Sequence, residues 1–397
     1  MGEAEIEAVV ECLRSGWLTT GQRTTEFESR FAEYVGTRYA VAVNSCTAAL
    51  HLALEAIGLK SGELVLVPTF TFAATAEVVR YFDAIPVFVD SDPETLCICP
   101  EALERTLAAL ANGEPVAGVS LPYGVVRAVI PVHYAGQVAE MAPIRAIADR
   151  YGLALIGDAA HTLPAYYRSN SQSPWQSVGT LADITCFSFY ANKCITTGEG
   201  GMIVTDREDF ADRMRLMSLH GMSKDAWKRF SGEGSWYYEI LAPGFKYNLT
   251  DIAASIGLRQ LDRAETLLSQ RREIAGFFSQ RLATVEELET PIALTNRQHA
   301  WHLYVIRLRL ERLSIDRARF IAELAERGVS ASVHWLPLHM HPYYRDTFHY
   351  AQNDFPVAAA AWERIVSLPI FPGMTIAERE FVVQTVMEVT RKYHRGG

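Results

Sequence analysis

The chain has 397 residues, of which 49% are hydrophobic and 21% charged, with a formal net charge of −9 at pH 7. That length and apolar content support a large buried core in two or three structural units, or equally in one large α/β unit with a small partner, and the acidic balance argues against a nucleic-acid binder, which usually shows a basic stripe. No apolar run reaches the roughly 18 residues of a membrane-spanning helix, the acidic amphipathic start MGEAEIEAVVECLRSG is unlike a signal peptide, and the six cysteines form no CxxC pair, as expected of reduced thiols in a cytoplasmic protein.

Residues 3–15 read as a helix with Ile6, Val9, Val10 and Leu13 on one face. SGWLTTG (15–21) breaks it, and a second helix over 24–35 ends at Gly36. TRYAVAVNS (37–45) is a strand with a continuous apolar end, as in a parallel sheet covered on both faces. Cys46-Thr47-Ala48-Ala49 then opens a helix that runs over 48–57. Its start, with the Ser45 and Thr47 hydroxyls and free backbone N–H groups, reads either as a phosphate cradle or as an ordinary N-cap. The strand ELVLVP (63–68) leads into TFTFAATAEVVRYF, where Phe70 and Phe72 lie in a loop beyond a strand's carboxyl end. Ligands sit there in open α/β sheets, although either ring also suits a core. Residues 85–89 form a strand, 100–111 a helix, 128–134 a strand and 142–151 a helix, with 112–127 a poorly patterned insertion. This alternation is the signature of a mainly parallel sheet.

LALIGDAAHT (153–162) is a strand running into Asp158, a carboxylate placed for a metal, a ribose hydroxyl, a helix cap or a protonated ring nitrogen. His161 follows three residues on and either bonds a ligand or packs. Residues 166–180, rich in Ser, Gln and Asn, read as an exposed loop. DITCFSFYANKCITTGEGGM (183–202) places Lys193 after a short apolar strand (184–189) and before a glycine-rich turn. Such a lysine is either an exposed side chain of a βα loop or, held low in a cleft, one that loses hydration, so that its ammonium is disfavoured and its amine becomes competent to form an imine with a carbonyl. Residues 200–205 are an antiparallel or edge strand and 209–220 a helix. Residues 221–243, with Trp227, Trp236 and Tyr237, read as a loop that closes over something. Thr250 caps a helix over 251–261, and a long helix over 261–281 bridges to a smaller α+β unit. In HWLPLHMHPYYR the histidines His334, His339 and His341 are irregularly spaced with no carboxylate close by, which argues for a packed loop and against a metal site.

Four features share one logic. A phosphate cradle, an aromatic plate, an acid at a strand end and an imine-competent lysine occur in that order, each at a βα boundary. Pyridoxal phosphate (PLP) needs a helix N-terminus for its phosphate, a stacking partner for its ring, a carboxylate for its pyridinium nitrogen and a lysine for its aldehyde.

The chain also resembles the DegT-type nucleotide-sugar aminotransferases of fold type I. The matching segments are RSGWLTTG, NSCTAALHLAL, VPTFTFAATA, PVHYAGQ, GDAAHT, FSFYANKCITTGEGGM, PGFKYNLTDIAA, HPYYR and SLPIFPGMT, which span nearly the whole length. The resemblance in detail is to enzymes that aminate C4 of a 4-keto nucleotide sugar. It implies an α/β fold of type I: a large PLP-binding domain over 1–260 with a mainly parallel seven-stranded sheet, and a linker helix with a smaller α+β domain over 261–397. It implies PLP on Lys193, with the pyridoxamine form (PMP) as intermediate, and Asp158 against the pyridine nitrogen. Thr47, Ala48 and Ser188 then hold the phosphate, Phe72 stacks on the ring, and His161 lies near the ring substituents. Asn248 reaches the phosphate of the neighbouring subunit, which makes a homodimer the functional unit. Thr19, Arg229 and His334 are candidate contacts to L-glutamate or the nucleotide sugar. Cys46 stands where many members have glycine, and Cys194 where asparagine is common. The product is expected to be an amino sugar for a surface polysaccharide, lipid A or a natural-product glycan. The alternatives are C3 amination, a PLP-dependent sugar dehydratase (a type that carries histidine in place of the lysine), a non-catalytic sensor of cofactor or sugar, and a metal-dependent sugar enzyme using the 334–341 histidines.

Overall fold

The computed structural model describes residues 1–223 and 238–395. Seven strands form the main sheet: β1 (Tyr39–Val43), β2 (Leu64–Pro68), β3 (Ile85–Val89), β4 (Val126–Val129), β5 (Ala154–Asp158), β8 (Ile184–Ser188) and β9 (Gly201–Thr205). Their order is β1-β9-β8-β5-β4-β2-β3, and β9 alone runs antiparallel to its neighbours. Parallel neighbours need crossovers, which helices supply. These are α3 (Cys46–Ala56), α4 (Ala74–Arg80), α5 (Pro100–Asn112) and α6 (Met141–Tyr151), following β1, β2, β3 and β4 in turn. Both faces of the sheet are covered, so β2 is buried at every residue, and its sequence Leu-Val-Leu-Val-Pro shows no alternation.

Two further helices frame the N-terminal region, α1 (Glu3–Ser15) and α2 (Gln22–Val35), and α7 (Glu208–Ser218) follows β9. Helix α8 (Asp251–Asp262) opens on Thr250, whose side chain accepts from Ala253 N as the sequence led us to expect. Helix α9 (Ala264–Leu282) follows directly. Phe27 and Phe31 of α2 meet Phe189 and Phe187 at ring distances of 5.3 and 5.1 Å, which pins the end of β8 to the helical layer.

A second hydrophobic cluster is built on the antiparallel sheet β10 (Leu288–Glu289), β12 (Tyr304–Leu308) and β13 (Ile365–Leu368). Phe278 of α9, Tyr304 and Phe320 are fully buried there, beneath the helices Arg317–Glu326 and Ile376–Lys392. No helix among the described residues is long and apolar enough to cross a membrane.

Several local expectations are corrected. Helix α1 buries Glu5, Ala8 and Cys12 and leaves Ile6 and Leu13 about half exposed. Glu5 decides the face: its carboxylate accepts from Gly2 N, Gln260 Nε2 and Arg263 at 2.8, 2.6 and 2.9 Å, while Ala8 and Cys12 are small enough to let the helix lie close. Strand β4 starts two residues earlier than its apolar run and stops before Pro131, which has no N–H to give a ladder. Strand β5 ends at Asp158, short of Thr162. The polar stretch after Pro164 is not all exposed loop. β6 (Tyr166–Tyr167) pairs with β7 (Gln176–Ser177) and with β11 (Arg297–Gln298), burying Tyr167 and Val178. Arg229, Trp227, Trp236 and Tyr237 lie outside the described residues.

Candidate active site

Strand β5 delivers Asp158 to the floor of a cavity of ≈ 390 Å³ at the carboxyl ends of the parallel strands. Its backbone is clamped to the neighbouring segment, with Asp158 N donating to Pro131 O (2.9 Å) and His133 N to Asp158 O (3.1 Å). The carboxylate, 5% exposed, accepts from Thr75 Oγ1 at 2.8 Å and from Ala160 N at 3.1 Å. Burial raises its pKa above the ordinary carboxylate value, while the two donors and the Lys193 ammonium oppose that rise.

Lys193 enters the same cavity from the loop after β8. The loop folds back on itself: Lys193 N donates to Tyr190 O (2.9 Å), Thr197 N to Phe189 O (3.0 Å) and Phe189 N to Gly200 O (2.9 Å). Gly201 lets β9 pass the turn that opens α3, since a Cβ there would fall 2.6 Å from the Ser45 carbonyl. Loss of hydration lowers the Lys193 pKa, and the nearby Cys46, Asp158 and Cys194 pull it partly back. The amine and the acid therefore face one cavity, with each charge made costlier by burial and cheaper by the other.

The N-terminus of α3 forms a third wall through Ser45, Cys46 and Thr47, and Ser188 at the end of β8 lies beside them. Ser45 also acts as the N-cap, accepting from Ala48 N at 3.1 Å. The Ala48 amide is thus already engaged, its side chain is buried, and Ala48 is not among the residues lining the cavity. The first-turn N–H groups of Cys46 and Thr47 have no intrahelical acceptor to use. Phe72 stands at the rim with 57% exposure, free on one side to cover a planar ligand, whereas Phe70 is buried in the core against Tyr134.

The fourth wall joins both halves of the chain. His161 lies between His302, at a ring distance of 4.3 Å, and Trp335, stacked at 5.0 Å and 29°. Its Nδ1 accepts from Ala135 N at 3.3 Å, which leaves Nε2 to carry the proton. His334 also lines the cavity, with its Nδ1 2.9 Å from Ser367 Oγ. Desolvation lowers the pKa of all three imidazoles, helped by the Lys193 charge, so all are neutral at pH 7. His302 Nδ1 is buried without a hydrogen-bond partner among the described residues.

Most of the expected residues converge: Thr47, Phe72, Asp158, His161, Ser188, Lys193 and His334 share the cavity. Asn248 and Thr19 do not line it. Asn248 donates to Thr20 Oγ1 at 2.6 Å and faces a separate cleft of ≈ 1080 Å³, and Thr19 is exposed beside that cleft. His339 is core, bonded to Thr69 Oγ1 at 2.7 Å, and the described residues hold no cluster of three or more metal-ligating side chains. Sequence reading missed Thr71, Thr75, His302 and Trp335. The hydroxyls at i and i+4 in TFTFAATA were a usable signal for the first two; nothing local singled out the others.

The whole chain to residue 387 matches the model of the DegT/DnrJ/EryC1/StrS aminotransferase family. The chain belongs to that family. It is 45% identical over 389 residues to the uncharacterised protein MJ1066 of Methanocaldococcus jannaschii, covering 98% of this chain and 95% of that one. It is 41% identical over 392 residues to the spore coat polysaccharide biosynthesis protein SpsC of Bacillus subtilis, with the same coverage. The putative sugar aminotransferase Spr1654 from Streptococcus pneumoniae, solved in its PMP form, superposes with a TM-score of 0.88 at 31% identity, covering 99% of this chain and 98% of that one. The chain is thus a sugar aminotransferase that works with pyridoxal phosphate on a fold of type I. The cavity of this aminotransferase fits that cofactor: it offers an amine, a buried carboxylate, a helix N-terminus with two hydroxyls, and an exposed aromatic at the rim.

Proposed function

We propose that the enzyme moves an amino group from L-glutamate to the keto group of a nucleotide-linked sugar, with C4 of a UDP- or dTDP-linked sugar as the acceptor position. The product is an amino sugar for a surface polysaccharide, lipid A or a natural-product glycan. The observation that carries this reading is the shared cavity of Lys193 and Asp158 at the N-terminus of α3, in a chain alike over its full length to sugar aminotransferases.

When bound, pyridoxal phosphate supplies the aldehyde that takes up the amino group and the ring that accepts the electron pair left on Cα. The chain supplies the rest. Lys193 anchors the cofactor, and its amine, with a pKa lowered by burial, is available at Nζ to carry a proton away from Cα and return it. Asp158 holds a proton on the ring nitrogen. Thr47 and Ser188 donate to the phosphate, with the α3 N-terminus including Ala48 behind them. Phe72 would cover the ring, and His161, with Nδ1 occupied, would have Nε2 to donate to a ring substituent. His334, Thr19 and Arg229 are assigned to the donor and the sugar nucleotide. We further propose a homodimer in which Asn248 of each subunit reaches the phosphate of the other, since within one chain Asn248 lines a separate cleft and not the cavity.

The test is a panel of UDP- and dTDP-linked 3-keto and 4-keto sugars incubated with L-glutamate, read by product mass. Amination of a 4-keto substrate is the expected result; amination of 3-keto substrates alone would move the position, and no amination of any would sink the reading. Lys193→Ala should lose at least about 10³-fold in turnover, the order seen when an essential proton carrier is removed.

A further inference from the structure

Thr71 and Thr75 lie four residues apart, at the entry and in the first turn of α4, and both are buried. The two hydroxyl oxygens are 2.8 Å apart, and Thr75 Oγ1 donates to Asp158 Oδ2 at 2.8 Å. Because Thr75 gives its only proton to the carboxylate, the bond between the threonines must run from Thr71 to Thr75. The chain of donation is therefore Thr71 to Thr75 to Asp158, each link polarising the next. Thr71 immediately precedes Phe72 and itself lines the cavity.

We propose that Thr75, supported by Thr71, is a positioning residue that keeps Asp158 ionised and aimed at the cofactor's ring nitrogen, and that ties the acid to the segment carrying Phe72 at the rim. The proposal rests on Asp158 being the carboxylate that meets that nitrogen. Geometry supports it from two sides. Ala160 N occupies Oδ1 and Thr75 occupies Oδ2, so the plane of the carboxylate is fixed while each oxygen keeps one lone pair for a ligand. The other titratable groups that bear on Asp158 are Lys193 from the loop after β8, the Cys46 thiol at the start of α3 and the Cys186 thiol on β8. Both thiols are pushed up by burial and stay neutral, which leaves Lys193 as the charge opposing protonation among the described residues. With Lys193 engaged by the cofactor, the hydrogen bonds from Thr75 and Ala160 would be what favours the charged form of the acid among the described residues.

Removing the Thr75 donor raises the carboxyl pKa further, so the variant protonates at a pH where the parent is still ionised. The defect is largest at the acid end and shrinks as pH rises. The experiment titrates apoenzyme with pyridoxal phosphate from pH 6 to 9, following the visible absorbance of the bound cofactor, for the parent, Thr75→Val, Thr75→Ser, Thr71→Val and Asp158→Asn. Thr75→Val is expected to bind at least about tenfold more weakly at pH 6.5, with the gap narrowing by pH 9. Thr75→Ser should stay within about threefold of the parent, and Thr71→Val should show the same trend at smaller size. Equal weakening at every pH, or failure of serine to rescue, would reduce Thr75 to a packing residue and overturn the proposal. If Thr75→Val does not fold, the Thr71→Val profile decides by the same criterion. Loss of affinity in Asp158→Asn alone would sink the relay but keep the role of the acid; parent-like affinity in Asp158→Asn would sink that role itself.

Discussion

Trp335 shows how much one ring contributes here. It stacks on His161, meets Tyr134 edge-on at 5.9 Å and lies tilted against Phe72 at 6.1 Å, so it links the rim aromatic to the imidazole in the wall. An aromatic pair contributes about 0.5–1.5 kcal/mol beyond the area it buries. Trp335→Ala should therefore weaken cofactor binding by roughly tenfold, about 1.4 kcal/mol, and Trp335→Phe should recover most of it. Apoenzyme titration checks this, and unchanged affinity in the alanine variant would show that His161 needs no second ring neighbour. The neutral state of His161, His302 and His334 follows from the same enclosure. Three desolvated imidazoles beside one ammonium resist taking up a second charge.

At the scale of elements, the turn between α1 and α2 depends on an acid from a distant helix. Asp251, at the first position of α8, accepts from Gly21 N, Thr24 N and Thr24 Oγ1 at 2.8, 2.9 and 2.7 Å, and from Arg23 N at 3.2 Å. One carboxylate thus caps the start of α2 while beginning a helix of its own. Asp251→Ala should cost about 3 kcal/mol, combining a lost cap with unpaired buried donors, and Asp251→Asn should cost less. Gly21→Ala tests the same turn from the other side. Its Cβ would fall 2.1 Å from Trp17 Nε1 and 2.8 Å from Asp251 Oδ2, so the cap must be displaced. Chemical denaturation of both variants measures this, and a Gly21→Ala protein as stable as the parent would refute it.

At the scale of the whole molecule, the site exists only where the two halves of the chain meet. Tyr134 donates to His334 O at 2.6 Å across that junction. Arg271 on α9, itself buried, donates to the carbonyls of Trp301, His302 and Ile370 at 3.1, 3.2 and 3.1 Å. It fixes the backbone from which His302 reaches the cavity. Arg271→Met keeps the volume but leaves those carbonyls without a donor. Stability should fall by about 3 kcal/mol or more, and cofactor affinity should fall with it as His302 shifts. A loss of stability with parent-like cofactor affinity would show that the guanidinium holds the fold and not the site.

Much of this was written locally. The alternation of apolar strands with amphipathic helices is a periodic signal, so the order of the large sheet's elements was legible from Tyr39 to Thr205. Asp158 was legible at a strand end and Lys193 in the loop just past one, where the apolar pattern breaks. The buried face of α1 was not, since it turned on Glu5 finding Gln260 and Arg263 more than 250 residues away, and periodicity registers apolar residues only. Nor did any local pattern distinguish His302 and Trp335 from ordinary core residues. Their value comes from meeting His161, which lies 141 and 174 positions earlier in the chain. The sequence alone determined the chemistry available and the strand ends that present it, because those depend on neighbours a few residues apart. Only the tertiary structure decided which rings enclose that chemistry and which hydroxyls hold its acid, because such contacts depend on distances in space that spacing along the chain does not encode.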